Sequence, residues 1–167
     1  MLHNVKGRRF HREASVRSRR FLNNRDPVIY LYVWHGILSY MVFFQAFDLM
    51  MSNVRLCYDP AYNDERRKIY LEEFQEKADH LSRFLGDHPF VAGDQVTYAD
   101  FLLYEALSGI LALSSGVLKN HPVLQRYIER VAALKGVNEY LQSPRFKSWP
   151  FWSPFAKDLG QQHERRG

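Results

Sequence analysis

Val96-Thr97-Tyr98-Ala99-Asp100-Phe101 is the stretch on which the reading of this chain turns. A threonine just before a helix can offer its hydroxyl to the amide three residues on, and an acidic side chain at that third position can reach back to the threonine amide. Here the third residue is Asp100 in place of the commoner glutamate. Val96 and Phe101 flank the box at the spacing of a hydrophobic staple, which sets the angle at which the chain joins the helix. Thr97 and Asp100 are therefore read as a structural capping box, and Asp100 as a structural carboxyl in preference to a catalytic one. The following run, Phe101 to Leu113, is apolar almost all round, as befits a helix in the middle of a bundle.

Working outward, the pattern stays helical. Tyr70, Phe74, Ala78, Leu81 and Leu85 fall on one face of a helix over about 65–85, with Glu72, Glu73, Glu76, Lys77 and Arg83 elsewhere. Gly86 is placed to end it in a left-handed conformation. Before it, Phe47, Met50, Met51 and Val54 recur at helical spacing, and Pro60 predicts a stop near Cys57 or Tyr58. After the capped helix, Val123, Leu124, Tyr127, Ile128 and Val131 mark another, opened by Pro122. Gly136 interrupts, and a short helix runs to about Gln142. From Ser143 on, Pro144, Pro150 and Pro154 make the chain irregular, while Phe146, Trp149, Phe151, Trp152 and Phe155 are expected to pack on the bundle. No strand pattern occurs. The fold class is all-α, a bundle of about five helices.

Composition narrows the function. The 167 residues carry a net charge of +5, but residues 1–25 hold eight basic side chains against one acid, a net of +7, which leaves −2 for the other 142. The basicity thus belongs to a leading arm and not to the folded body. Specific nucleic-acid recognition is not expected, because the arm alone would bind nonspecifically. The arm reads as disordered, as a targeting segment, as a segment touching anionic lipid or RNA, or as an N-terminus that does not belong to the original gene. One cysteine excludes an internal disulfide framework, and the seven histidines show no metal-ligand spacing. No metal or resident cofactor is expected. Residues 28–44 are a second anomaly, with no Asp, Glu, Lys or Arg. Extended to Phe47 they reach the length of a membrane span; a buried helix or a dimer interface reads the same way. The segments are a basic arm over 1–27, a helical domain over 28–157 with an atypical apolar lead at 28–44, and a polar tail over 158–167.

Three blocks of residues carry a resemblance. Leu56-Cys57-Tyr58-Asp59-Pro60, the long run from Phe90 through Tyr104, and Ser143-Pro144-Arg145-Phe146 are similar to the C-terminal helical domain of glutathione transferases, most closely the mu class, over residues 45–157. The resemblance implies a family of dimeric, cytoplasmic detoxifying enzymes that conjugate glutathione to hydrophobic electrophiles. Glutathione is then a co-substrate. The resemblance matches Tyr58 to a pocket tyrosine whose hydroxyl meets the electrophile, Met51 to an apolar pocket residue and Ser153 to a polar one. It matches Asp48 to the aspartate that reaches glutathione bound in the partner subunit. Two positions depart from the pattern: Met50 stands where the family has arginine, and Asp158 where it has tryptophan.

The thioredoxin-like domain that precedes the helical domain in this family, and holds most of the glutathione site, has no counterpart in residues 1–44. The expectation is a transferase-like chain that keeps the electrophile-pocket and dimerisation domain, lacks most of the glutathione site and is inactive alone. A face left bare by the missing domain would favour self-association. The alternative is a non-catalytic binding or dimerisation module, with a membrane anchor through residues 28–47 as a further variant.

Overall fold

The computed structural model describes residues 27–160, with side chains from residue 36 onward. The basic arm and residues 161–167 of the polar tail lie outside the described residues. The chain divides into two compact units, residues 1–38 and 39–167, and the side-chain contacts below all fall in the second. Its elements are α1 (Pro27–Tyr58), α2 (Asp64–Leu85), α3 (Tyr98–Leu113), α4 (Pro122–Ala132) and α5 (Lys135–Leu141). Among the described residues there is no strand, only an isolated bridge between Phe90 and Gly93.

Local chemistry explains the boundaries. Asn63 caps α2 by accepting from the Arg66 amide at 2.9 Å, with Asp64 and Glu65 in the first turn where the helix dipole favours them. Gly86 ends it at φ 50°, a conformation that costs glycine little. Pro122 opens α4 at a position where its missing amide hydrogen costs nothing. Gly136 lies inside α5, near its start, where a break before the short helix was expected.

The capping box at α3 is present, and its carboxyl half is the strong one. Thr97 donates to Asp100 Oδ2 twice, from its amide at 2.7 Å and from its hydroxyl at 3.0 Å. Asp100 is fully buried, and its other oxygen accepts from the Val91 amide at 2.9 Å and from the Tyr127 hydroxyl at 3.0 Å. Burial first, and then the Asp100 charge, push the Tyr127 phenol well above its ordinary pKa, so it remains a donor. The flanking staple pair is less enclosed than expected: Val96 and Phe101 both stand exposed.

The main core gathers Phe74, Ala78 and Leu85 from α2, Leu103, Leu107 and Ile110 from α3, and Leu124, Tyr127 and Val131 from α4. Those α2 and α4 residues are the ones periodicity singled out. On α1 the face is different. Its buried stripe is Val42, Ala46, Leu49, Asn53 and Cys57, whereas Phe47 is exposed. The segment Gly36–Tyr58 is long and apolar enough to cross a membrane. One side of it is embedded in protein core, with Asn53 hydrogen-bonded there to Trp152 at 2.8 Å. Removing the Asp100 carboxyl should leave the Val91 and Thr97 amides without partners, at about 1–3 kcal/mol each, while the Tyr127 hydroxyl keeps the backbone carbonyl of residue 100 at 3.2 Å. Asp100→Ala is therefore expected to lose at least about 2 kcal/mol in urea unfolding, against about 1 kcal/mol for Thr97→Ala.

Candidate functional site

The site is built where α1 ends and the irregular segment after α5 returns to it. Tyr58 is the last residue of α1. Its hydroxyl accepts from the Ser153 amide at 3.0 Å, which joins two residues 95 positions apart. Both are exposed. The accepting hydroxyl keeps its own hydrogen available for a further partner. Met51 is half-buried and lies seven residues before Tyr58, two turns or about 10 Å along the same face. Asp48 is exposed on that helix a further turn away. Thus Tyr58 and Ser153 are brought together, Met51 lies on their side of α1, and Asp48 stands apart. The two concavities described, of 100 and 560 Å³, are lined by other residues.

What holds this corner is a strap over residues 149–160. The Lys157 amide donates to the Cys57 carbonyl at 2.6 Å, and the Leu159 carbonyl accepts from the Phe151 and Trp152 amides at 3.0 and 3.2 Å. Asp158 is buried. It accepts from the Tyr62 hydroxyl and, at 2.8 Å, from the Leu159 amide, and the Arg67 guanidinium lies 3.8 Å away. Arg67 also donates to the Leu113 carbonyl at the end of α3. Leu159 sits at φ 59°, a conformation that costs a bulky residue energy and persists only where its surroundings enforce it. A side chain on Gly160 would stand 2.6 Å from the Ala156 carbonyl, so only glycine fits. Asp158, Leu159 and Gly160, the first three residues of the segment read as a polar tail, are buried. Their placement depends on partners about a hundred residues earlier, which a local reading of polarity cannot see. Of the tail aromatics, Trp149, Phe151 and Trp152 pack against a second core with Cys57, Leu113, Ala156 and Leu159, while Phe155 is 87% exposed.

Sequence reasoning missed Asn53, Asp158 and Gly160 as the parts that fix the site. Asn53 is fully buried and accepts from both the Trp152 indole and the Cys57 thiol, the latter at 3.6 Å. A buried asparagine in an apolar helix was the available signal.

A model of the family described as "Glutathione S-transferase, C-terminal domain" matches residues 47–144. The chain belongs to the glutathione S-transferases, through their C-terminal domain. It is 35% identical over 112 residues to glutathione S-transferase B of Cavia porcellus, covering 67% of this chain and 51% of that protein. It is 36% identical over 111 residues to the class-mu 26 kDa isozyme 51 of Fasciola hepatica, covering 66% and 50%. The crystal structure of the glutathione S-transferase Blo t 8 superposes with a TM-score of 0.66 at 25% identity, covering 74% of this chain and 59% of that one. The chain is transferase-like and of mu-class type, and it spans about half the length of the curated relatives it matches.

Cys57 is the one cysteine, and it is fully buried beside the strap. Burial first, and then the nearby Asp158 charge, push its thiol up to about 12, with a hydrogen bond from Trp152 acting the other way. It is an inert thiol and no nucleophile at neutral pH. An unfolded chain loses this proton near pH 9 and the folded one near 12. The folded state therefore binds more protons across that window, and its stability falls as pH rises from 9 towards 12. The slope from this group approaches about 1.4 kcal/mol per pH unit. Cys57→Ala should flatten the fall of melting temperature between pH 9 and 11. The native protein should react with a thiol reagent at pH 8 only at the rate of its unfolding.

Proposed function

We propose that this chain supplies the electrophile side of a mu-class-type glutathione transferase site, with Tyr58 as hydrogen-bond donor to the electrophile, Ser153 as its polar neighbour and Met51 as apolar wall. The observation that carries the reading is the Tyr58–Ser153 contact. It orients a phenol at an exposed corner with its hydrogen free, where charge developing on a substrate can be met by a donor. The phenol donates a hydrogen bond and activates no thiol. The buried, protonated Cys57 gives the site no nucleophile of its own.

The remainder of the reading rests on the family. Glutathione is the co-substrate by the relatives' names. Hydrophobic electrophiles are the second substrate, and a homodimer places Asp48 of one copy towards glutathione on the other. The compartment is the cytoplasm. Since the chain spans half of its relatives' length, thiol activation and conjugation are assigned to residues other than these, and the chain alone is proposed to bind and not to turn over.

Calorimetry separates these parts. The dinitrophenyl conjugate of glutathione, whose nitro oxygens can accept from a phenol, is expected to bind, and glutathione alone to bind much more weakly. Tyr58→Phe removes the bond donated to that conjugate, worth about 0.5–1.5 kcal/mol, so its affinity should fall about two- to tenfold; the Ser153 amide also loses its acceptor, but at an exposed corner where water replaces it, so melting temperature should change little. Equal affinity for the two ligands, or no effect of Tyr58→Phe, would overturn the assignment.

A further inference from the structure

A cavity of 100 Å³ lies between the turn that ends α2 and one face of α4. Arg126 and Arg130 line it from α4, four residues apart and so one above the other on that face. Gly86, Asp87 and His88 line it from the turn. Arg130 is half-buried, and its guanidinium donates to the Pro89 carbonyl at 2.8 Å, which fixes its orientation. Arg126 is exposed, and among the described residues its side chain has neither a hydrogen bond nor an ion pair. The same holds for the side chains of Asp87 and His88, so Asp87 neutralises neither arginine by contact.

Size and charge together select the occupant. A space of 100 Å³ holds a few waters or one small ion, and falls short of the roughly 300–1,000 Å³ of pockets for drug-sized ligands. The end of α2 and the start of α4, at Val123, both border it, so opposite ends of two helix dipoles meet there and offset each other. The side chains then decide. Two arginines against one aspartate leave a net charge of +1, which disfavours a cation, and the His88 ring adds an N–H in either tautomer. A guanidinium presents a planar fork of donors that matches the oxygens of a phosphate group. Arg130 spends one donor on Pro89 and keeps the others. A carboxylate has oxygens for one such fork, whereas a phosphate group has enough for both arginines and the His88 ring together.

We propose that this cavity binds a phosphate group between the Arg126 and Arg130 guanidinium groups and the His88 ring, with Asp87 weakening the site by its like charge. The cavity shares no residue with the Tyr58–Ser153 corner. The assignment is therefore independent of the electrophile reading, and either can fail without the other.

The test is titration of the full chain with sodium phosphate, followed by heteronuclear NMR of the backbone amides and the His88 ring, with sodium chloride at matched ionic strength as control. Phosphate is expected to shift residues 86–88, 126 and 130 saturably, and chloride to leave them in place. Arg126→Gln should weaken phosphate binding about tenfold or more, as the loss of a charge-assisted hydrogen bond does. Asp87→Asn should strengthen it about two- to fivefold by removing a like charge. Both side chains are exposed, so the melting temperature without phosphate should be the same in each variant, and the opposite signs of the two effects separate the site from misfolding. O-phosphoserine distinguishes the source of the group. Affinity equal to that of phosphate assigns the cavity to a phosphate carried on another molecule as well as to the free ion, and its failure to bind assigns the cavity to the free ion alone. Shifts that chloride reproduces overturn the proposal, as does phosphate affinity untouched by Arg126→Gln or lowered by Asp87→Asn.

Discussion

A carboxyl group without access to water must find every partner inside the protein, and Asp100 finds four. They come from the turn before α3, from the cap of α3 and from the middle of α4. The start of one helix, the path of the 90–93 turn and the position of a second helix are thereby set by two oxygen atoms. The three-way junction is costly to half-satisfy, since each donor left over is a buried polar group with nothing to bond. Tyr127 contributes in the same sense, because a phenol whose ionisation is suppressed by burial and by Asp100 is a dependable donor. The helices of the main core are consequently fixed in place before any side chain at the functional corner is considered.

That corner has its own fastening. The segment over 149–160 is tied to the end of α1 by the Cys57 carbonyl and the Tyr58 hydroxyl and to the start of α2 through Tyr62 and Arg67, and it packs on Leu113 of α3. The strained Leu159 and the sterically closed Gly160 show how little freedom it keeps. Tyr58 owes its orientation to this strap more than to its own helix, whose last turn would leave an exposed tyrosine free to rotate. The chemistry proposed for the site is thus donation by an oriented phenol beside an amide-anchored serine. The nearby thiol is held silent by the same burial that secures the strap.

Much of this was legible in the residues, and the failures have physical causes. The α2 and α4 faces could be read because their apolar positions alternate with charged ones, so periodicity carries a phase. On α1 it carries none. Apolar residues surround the helix, and the true core stripe contains Asn53 while Phe47 and Tyr40 point outward. The capping box was legible because it is local; that Asp100 would also serve Val91 and Tyr127 was not, since nothing in the sequence ties residue 100 to residue 127. Asp158 read as the start of a polar tail because residue type alone says charged, and only Tyr62, Leu159 and Arg67 together make its burial tolerable. Tyr58, Met51, Ser153 and Asp48 entered through resemblance, and composition or spacing would not have singled them out.

The strap also bears on how the chain acquires its structure. Its cross-links join residues separated by 95, 96 and 99 positions, while the capping box closes over three. Long loops cost more entropy to close and contribute nothing until they are closed. During synthesis the end of α1 leaves the ribosome roughly a hundred residues before the side chains that will cover it. At the elongation rates of cells, about 5–20 residues per second, that interval lasts on the order of 5–20 seconds. For that time Cys57 and the polar Asn53 lack their lid, so the second core is a late event of folding, and the apolar end of α1 is the part of the nascent protein most in need of a chaperone's cover.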